Sequence, residues 1–258
     1  MNPLLSLHNV TIGYGKVNII NNISFNAAEG EFCALLGLNG SGKTTLLKGI
    51  CGLLPLAGGH CFVNEHDVTR MNEKDRARYI SYMPQRHSKL IGVTVLDAVM
   101  MGSNARLDVF GFPSEKDREA ANEALVKMEI PHLAFDDFSR LSEGQKQLVI
   151  LARTLVQNAP VMLMDEPDSA LDFLNKHKTL DDIRKLIYSE KKAGLITLHD
   201  PNFALAHCDR LILIKNGALA SEIRLSGASA NEIQECLSAV YGRIEVSKDH
   251  FVSIPRQS

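Results

Sequence analysis

The stretch EFCALLGLNGSGKTTLLKGI, residues 31–50, decides the fold of this chain. An apolar run typical of a buried strand leads into a glycine-rich loop, and apolar residues at helical spacing follow that loop. Residues 37–44 fit the pattern G-x-x-x-x-G-K-[ST]. Because glycine has no Cβ, the backbone N–H groups of such a loop can curl around phosphate oxygens, and the next helix adds its positive end.

The loop predicts a site for a nucleoside triphosphate and Mg²⁺. Lys43 is expected to reach the β- and γ-phosphates, and the Thr44 hydroxyl is expected to ligate the metal. The residues of this segment expected to contact the nucleotide are Asn39, Gly40, Ser41, Gly42, Lys43, Thr44 and Thr45. A glycine-rich turn that merely joins a strand to a helix is the alternative interpretation of the pattern.

Two acids follow a second apolar strand, VMLMDEP at residues 161–167. Open α/β sheets bind ligands at the carboxyl ends of their strands. Asp165 is therefore expected to face the metal, and Glu166 is expected to polarise the water that attacks the γ-phosphate in line. A solvated strand end is the alternative for this pair of acids, and the phosphate loop upstream argues against it.

The alternation of strands and helices predicts an α/β fold, with a P-loop NTPase core built on a mainly parallel sheet. Residues 4–36 indicate short strands in an N-terminal antiparallel layer, and about 86–155 indicate a helical insertion with a break near Pro113. We expect a single domain over residues 1–258. Its C-terminal extension, about 226–258, reads as a helix followed by a strand-like stretch, with no task that the pattern assigns.

Composition bears on several classes of function. A net charge of −2 gives no support for non-specific binding to nucleic acid or to an anionic membrane. We found no apolar run of the roughly 18 residues that a membrane-spanning helix needs, and no signal peptide is expected. The five cysteines have no metal-ligand spacing, so unpaired thiols in a reducing cytosol are expected.

Residues 141–145, LSEGQ, lie between the loop and the acidic strand and resemble the signature of the ABC ATPase family, usually L-S-G-G-Q. Three further motifs fit the order of that family: YMPQ at 82–85, SALD at 169–172 and LITLHD at 195–200. The resemblance covers about residues 4–225 and implies binding and hydrolysis of ATP with Mg²⁺. Glu143 stands where the family usually has glycine, and this acid is expected to repel phosphate. Asp168 stands where the family commonly has threonine.

The resemblance also implies roles for single residues. Tyr14 is similar to the aromatic residue that stacks on adenine, Gln85 to the Q-loop glutamine, which is also expected at the metal, and His199 to the switch histidine. The residues expected to be catalytic are Glu166, His199 and Gln85. Those expected at the nucleotide from the signature and the D-loop are Ser142, Gly144, Gln145 and Asp172. In the family, the signature contacts the γ-phosphate held by the opposite subunit.

Details of residues 141–156, 172–176 and 198–204 resemble importers of metal chelates, meaning siderophores, haem, cobalamin or oxyanions. In those proteins an ATPase homodimer at the cytoplasmic face of the cell membrane works with two integral membrane permease subunits and, indirectly, with a substrate-binding protein. No nucleic-acid partner is expected. The surface around residues 86–101 is expected to grip the permease. The alternative is the soluble ABC-type ATPase of iron–sulfur cluster assembly, whose signature usually carries Glu where this chain has Gln145.

Overall fold

The computed structural model describes residues 3–15, 17–85, 90–107 and 111–254. The strands are β1 (Pro3–Tyr14), β2 (Val17–Ala28), β3 (Phe32–Leu36), β4 (Leu56–Val63), β5 (His66–Asp67), β6 (Ile80–Met83), β7 (Val161–Asp165), β8 (Ala193–Thr197), β9 (Arg210–Lys215), β10 (Ala218–Arg224), β11 (Glu245–Val246) and β12 (Val252–Ser253). The α-helices are α1 (Lys43–Ile50), α2 (Glu73–Arg76), α3 (Val95–Met100), α4 (Glu115–Lys127), α5 (Glu143–Gln157), α6 (Phe173–Ser189), α7 (Pro201–His207) and α8 (Ala230–Tyr241). Short 3₁₀ helices occupy Met101–Ala105, Pro131–Leu133 and Phe138–Arg140.

An antiparallel sheet forms the N-terminal layer, with strand order β2-β1-β4-β5. Apolar residues such as Leu5, Leu7, Val10 and Ile12 place one face of β1 in the core. The spacing between Leu7 and Val10 departs from strict alternation, and the pairing of β1 with β2 shifts register at that point. The predicted antiparallel layer is confirmed.

The central sheet has strand order β10-β9-β3-β8-β7-β6. Strands β9, β3, β8, β7 and β6 run parallel, and among the residues that the structure describes the β9–β10 pair is the one antiparallel pair of this sheet. Strands β3, β7 and β8 are buried at every position, which explains their continuous apolar runs. This sheet confirms the predicted fold class, and it brings the ends of β3, β7 and β8 to a common edge.

Two apolar clusters enclose the central sheet. One joins it to the antiparallel layer through α1 and includes Ile12, Leu35 and Leu46. The other joins its opposite face to helices and includes Phe32, Leu125 and Val149. Helix α1 packs closely on β1, because a Cβ added at Gly49 would lie 2.2 Å from the Cδ1 atom of Ile12. This packing fixes the helix that follows the phosphate loop.

Helices α3, α4 and α5 pack on one another in the region where the sequence predicts a helical insertion. Ser114, directly after Pro113, caps α4, and its hydroxyl accepts from the Asp117 backbone in a capping box. The predicted break therefore precedes a new helix. The boundaries of the insertion, about 86–155, stay a prediction, and residues 86–89 and 108–110 lie outside the described part of the chain.

The C-terminal extension contains α8 and the hairpin of β11 and β12, in agreement with its helical and strand-like patterns. All five cysteines are free thiols, and burial raises the pKa of Cys51 to about 11 and of Cys61 to about 12. These thiols are therefore protonated at neutral pH. Among the described residues, no helix is both long enough and apolar enough to cross a membrane.

Candidate functional site

The phosphate loop lies between β3 and α1, as the sequence predicts. Gly40 and Gly42 have φ angles of 77° and 106°, a region that favours glycine. A Cβ at Gly42 would also lie 2.6 Å from the Cδ1 atom of Ile20, so a side chain fits neither the backbone nor the space. The Gly217 N–H donates to the Ser41 carbonyl at 3.0 Å, so the β9–β10 turn supports the loop from behind.

Lys43 lies folded onto this loop. Its Nζ donates to the carbonyl oxygens of Gly37 at 2.8 Å and Leu38 at 3.3 Å, and the residue is 6% exposed. Burial lowers the pKa of Lys43, and the charges of Glu166 and Asp165 partly offset that effect. The ammonium is thus held at the loop by exchangeable bonds, which a phosphate oxygen can replace.

The loop also offers a free donor. The buried hydroxyl of Ser41 has no hydrogen-bond partner among the residues that the structure describes. A buried hydroxyl without a partner is costly unless a ligand or water satisfies it. Gly40 leaves open space where a Cβ would stand. Both features fit a phosphate group. Asn39 is exposed in the loop, and Thr45 is half-buried in the first turn of α1.

Asp165 and Thr44 form a compact group of oxygens beside the loop. The Thr44 hydroxyl donates to Asp165 Oδ1 at 3.1 Å, and the Thr197 hydroxyl donates to the same oxygen at 2.8 Å. The Tyr82 hydroxyl lies 3.5 Å from Asp165 Oδ2, and burial followed by the Asp165 charge raises the pKa of that phenol. A hydroxyl and a buried carboxylate are hard oxygen ligands, which fit Mg²⁺.

Glu166 meets both of the other predicted catalytic side chains. The His199 Nε2 atom lies 2.7 Å from Glu166 Oε1, and the Gln85 amide donates to Glu166 Oε2. Gln85 is thus placed on Glu166, while its predicted contact with the metal stays a prediction. Both carboxylate oxygens are engaged, so the carboxylate has a fixed orientation beside the phosphate loop.

The backbone of Glu166 is held as firmly as its side chain. Its φ angle is 51°, in the left-handed region that is uncommon for residues other than glycine. Its N–H donates to the Thr197 hydroxyl at 2.9 Å, and its carbonyl oxygen accepts from the Gln147 amide at 3.1 Å. These two bonds stabilise the unusual conformation and aim the carboxylate.

The signature residues lie at the start of α5. The Ser142 hydroxyl accepts from the Gln145 N–H at 3.2 Å, and the Gln145 side chain accepts from the Ser142 N–H at 3.0 Å. This capping box leaves the positive end of a 15-residue helix on the surface. At Gly144 an added Cβ would lie 3.4 Å from the Ala170 carbonyl oxygen. In the described part of the chain, no hydrogen bond or ion pair joins Ser142, Gly144 or Gln145 to the phosphate loop.

Tyr14 and Asp172 lie at the ends of other elements. Tyr14 closes β1 and is 53% exposed, which leaves its ring accessible for stacking. Asp172 is the N-cap of α6, where its Oδ1 accepts from the Asn175 N–H at 2.9 Å. Its predicted role at the nucleotide stays a prediction beside this structural one.

Sequence reasoning missed three residues that hold the acids, namely Thr197, Gln147 and Tyr82. Thr197 pairs with Asp165 across β7 and β8. That pairing depends on which strands become neighbours, and neither strand's own pattern reveals it. Gln147 lies one turn into α5, within an otherwise ordinary amphipathic helix. The sequence marks Tyr82 only through its position in YMPQ, three residues before Gln85.

The profile of the ABC transporter family matches residues 20–169, more than half of the chain. An uncharacterised ABC transporter ATP-binding protein of Haemophilus influenzae is 39% identical, over 82% of this chain and 80% of the relative. A hemin import ATP-binding protein of Shewanella denitrificans is 33% identical, over 85% of this chain and 87% of the relative.

Two solved structures of ABC proteins are also similar to this chain. A metal-chelate type ABC transporter in an inward-facing conformation matches with a TM-score of 0.79 and 27% identity, over 97% of this chain and 96% of that one. A dimeric bacterial ABC transporter cassette matches with a TM-score of 0.78 and 29% identity, over 86% of this chain and 98% of that one. The similarity thus extends over nearly the whole length of both structures.

Proposed function

Since the chain belongs to the ABC transporter family of ATPase subunits, we propose that it powers the import of a metal chelate, such as an iron siderophore, haem, cobalamin or a related compound. Its relatives include import ATP-binding proteins, and one named for hemin is among them. The solved metal-chelate type transporter supports the same class of cargo.

One observation carries the ATPase chemistry: the meeting of the phosphate loop with Asp165, Glu166 and His199 at one edge of the sheet. In the proposed reaction the Lys43 ammonium exchanges the Gly37 and Leu38 carbonyls for the β- and γ-phosphates. Thr44, Asp165 and Gln85 would hold Mg²⁺. When bound, the metal supplies positive charge that neutralises the β- and γ-phosphate oxygens.

Glu166 acts as general base in this proposal. It accepts a proton from water while the water oxygen bonds to the γ-phosphorus, and the bond from that phosphorus to the bridging oxygen breaks, so that ADP and phosphate leave. His199 and Gln85, which both contact the Glu166 carboxylate, orient it for this step. Tyr14 stacks on the adenine, and the remaining loop residues bind the phosphates.

The second half of the site comes from another copy of the chain. ABC cassettes form dimers, as one of the matching structures does. Ser142, Gly144 and Gln145 lie at the start of α5, and in the described part of the chain no hydrogen bond or ion pair joins them to their own phosphate loop; in the proposed arrangement this helix start supplies donors to the second subunit. They contact the γ-phosphate that the opposite subunit binds and so complete its nucleotide site, and Asp172 lies beside them. Dimer closure on ATP and opening after cleavage would then drive the transporter.

Two integral membrane permease subunits are the proposed direct partners, at the cytoplasmic face of the cell membrane, with a substrate-binding protein as an indirect one. The proposed permease contact spans about residues 86–101. Its first part, residues 86–89, lies outside the described residues. Nucleic acid has no proposed role.

Affinity capture tests the proposal. The tagged Glu166→Gln chain, expected to hold ATP without hydrolysing it, is isolated from mildly solubilised cells beside the wild-type chain, and the captured proteins are identified by mass spectrometry. The expected result is a pair of polytopic membrane subunits. Capture of soluble scaffold proteins of iron–sulfur cluster assembly in their place would overturn the import proposal and leave ATP hydrolysis intact.

A further inference from the structure

Helix α7 begins immediately after the switch histidine. Asp200 is its N-cap, and the Asp200 Oδ1 atom accepts from the Asn202 N–H at 2.8 Å. The His199 side chain is 53% exposed, whereas the side chain of its partner Glu166 is 9% exposed. Neighbouring groups therefore enclose only about half of the imidazole, and the chain enters the first turn of α7 directly after it.

The side chain of Asn202 binds the C-terminal hairpin in both directions. Asn202 Oδ1 accepts from the Val252 N–H at 2.7 Å, and Asn202 Nδ2 donates to the Val252 carbonyl oxygen at 3.4 Å. The amide thus offers one donor and one acceptor to a single residue, as a neighbouring strand would. This pair of bonds links the first turn of α7 to β12.

The hairpin is itself anchored to the main body of the fold. The Val246 N–H of β11 donates to the Gln234 side chain of α8 at 2.9 Å. Helix α8 is in turn held on β9, where Lys215 Nζ donates to the Ala239 carbonyl oxygen at 2.8 Å. Since β9 pairs with β3, a continuous series of hydrogen bonds runs from the central sheet to α7.

We propose that Asn202 is a positioning residue for ATP hydrolysis: through Val252 it fixes the first turn of α7 and so holds His199 on Glu166. The inference rests on the proposed function and gives the C-terminal extension a task. Removal of the Asn202 side chain leaves the Asp200 N-cap and the buried Ala204 of α7 in place. The helix therefore survives the substitution, while its first turn loses the anchor.

Steady-state and single-turnover ATPase assays of Asn202→Ala test this role. We expect kcat to fall about tenfold, because misplacement by about 1 Å costs up to 100-fold. The KM for ATP should stay within about twofold, since the binding residues are untouched. Thr69→Ala is a matched control, because the Thr69 hydroxyl likewise offers one acceptor and one donor to a single residue, with the Cys61 N–H at 2.8 Å and the Cys61 carbonyl oxygen at 3.5 Å. The control should keep kcat.

A double-mutant cycle separates positioning from general loss of structure. In the His199→Ala background, Asn202→Ala should cause no further loss in the single-turnover rate. An equal loss in both backgrounds, an unchanged kcat in Asn202→Ala, or no effect of His199→Ala itself would overturn the inference. Gln234→Ala breaks the same series of hydrogen bonds farther from His199 and is also expected to lower kcat. If Asn202→Ala does not fold, the kcat of Gln234→Ala tests the inference in its place, and an unchanged value would overturn it. A wild-type chain without ATPase activity would refute the proposed function instead.

Discussion

Replacing Thr197 by valine should destabilise the protein by about 2–4 kcal/mol. Thr197 is fully buried, and its hydroxyl donates to Asp165 at 2.8 Å while it accepts from the Glu166 N–H at 2.9 Å. Valine has nearly the same shape, so no cavity forms, and the change puts a methyl group in place of the hydroxyl.

The magnitude follows from those two bonds. A hydrogen bond to a charged group contributes about 1.5–3 kcal/mol, and a buried N–H left without a partner costs about 1–3 kcal/mol. The added methyl group returns about 1 kcal/mol. Thr44 still donates to Asp165, so the carboxylate keeps one good donor. The loss of folding stability therefore lies near the middle of the range that these three contributions allow.

Urea unfolding without nucleotide, followed by circular dichroism, measures this loss. Thr197→Ser is the matched control, because it keeps the hydroxyl and removes only a buried methyl group, at a cost of about 1 kcal/mol. The reasoning is refuted if valine costs less than serine, or if the two variants unfold at the same urea concentration.

Three further predictions concern the nucleotide. Lys43→Ala should fold normally by circular dichroism and lose tight binding of Mg-ATP in calorimetry, because the loop backbone cannot replace the ammonium; near-normal turnover would defeat the assignment of the phosphate loop. Glu166→Gln should bind ATP and stop hydrolysing it, since the amide keeps the shape and loses the base; phosphate release at the wild-type rate would remove Glu166 from the mechanism. Tyr14→Ala should weaken ATP binding by about 1–3 kcal/mol through lost stacking, and equal affinity in both proteins would leave Tyr14 an ordinary surface residue.

The parts of the fold that were predictable from sequence are those with a local pattern. The phosphate loop needs glycines at fixed positions, and the strand before Asp165 is a continuous apolar run, so each is visible within a few residues. The predicted antiparallel layer and mainly parallel sheet follow from the same kind of pattern and are confirmed.

The remaining contacts depend on which elements become neighbours. Thr197 reaches Asp165 because β7 and β8 pair in one register, and Asn202 reaches Val252 across 50 residues of chain. Such contacts arise from long-range packing, which a local pattern does not encode. Ser142 differs from both kinds of residue, because it caps α5 and also belongs to the signature. The local sequence pattern around Ser142 fits either role.

Disulfide cross-linking tests the shared nucleotide site most directly. The five native cysteines are replaced, and new ones are introduced as Asn39→Cys in the phosphate loop and Ser142→Cys in the signature. The account predicts that mild oxidation with ATP gives a covalent dimer on a denaturing gel, and that neither single-cysteine variant gives one. An intrachain bridge without any dimer would mean that the signature serves its own chain's nucleotide, which contradicts the shared site.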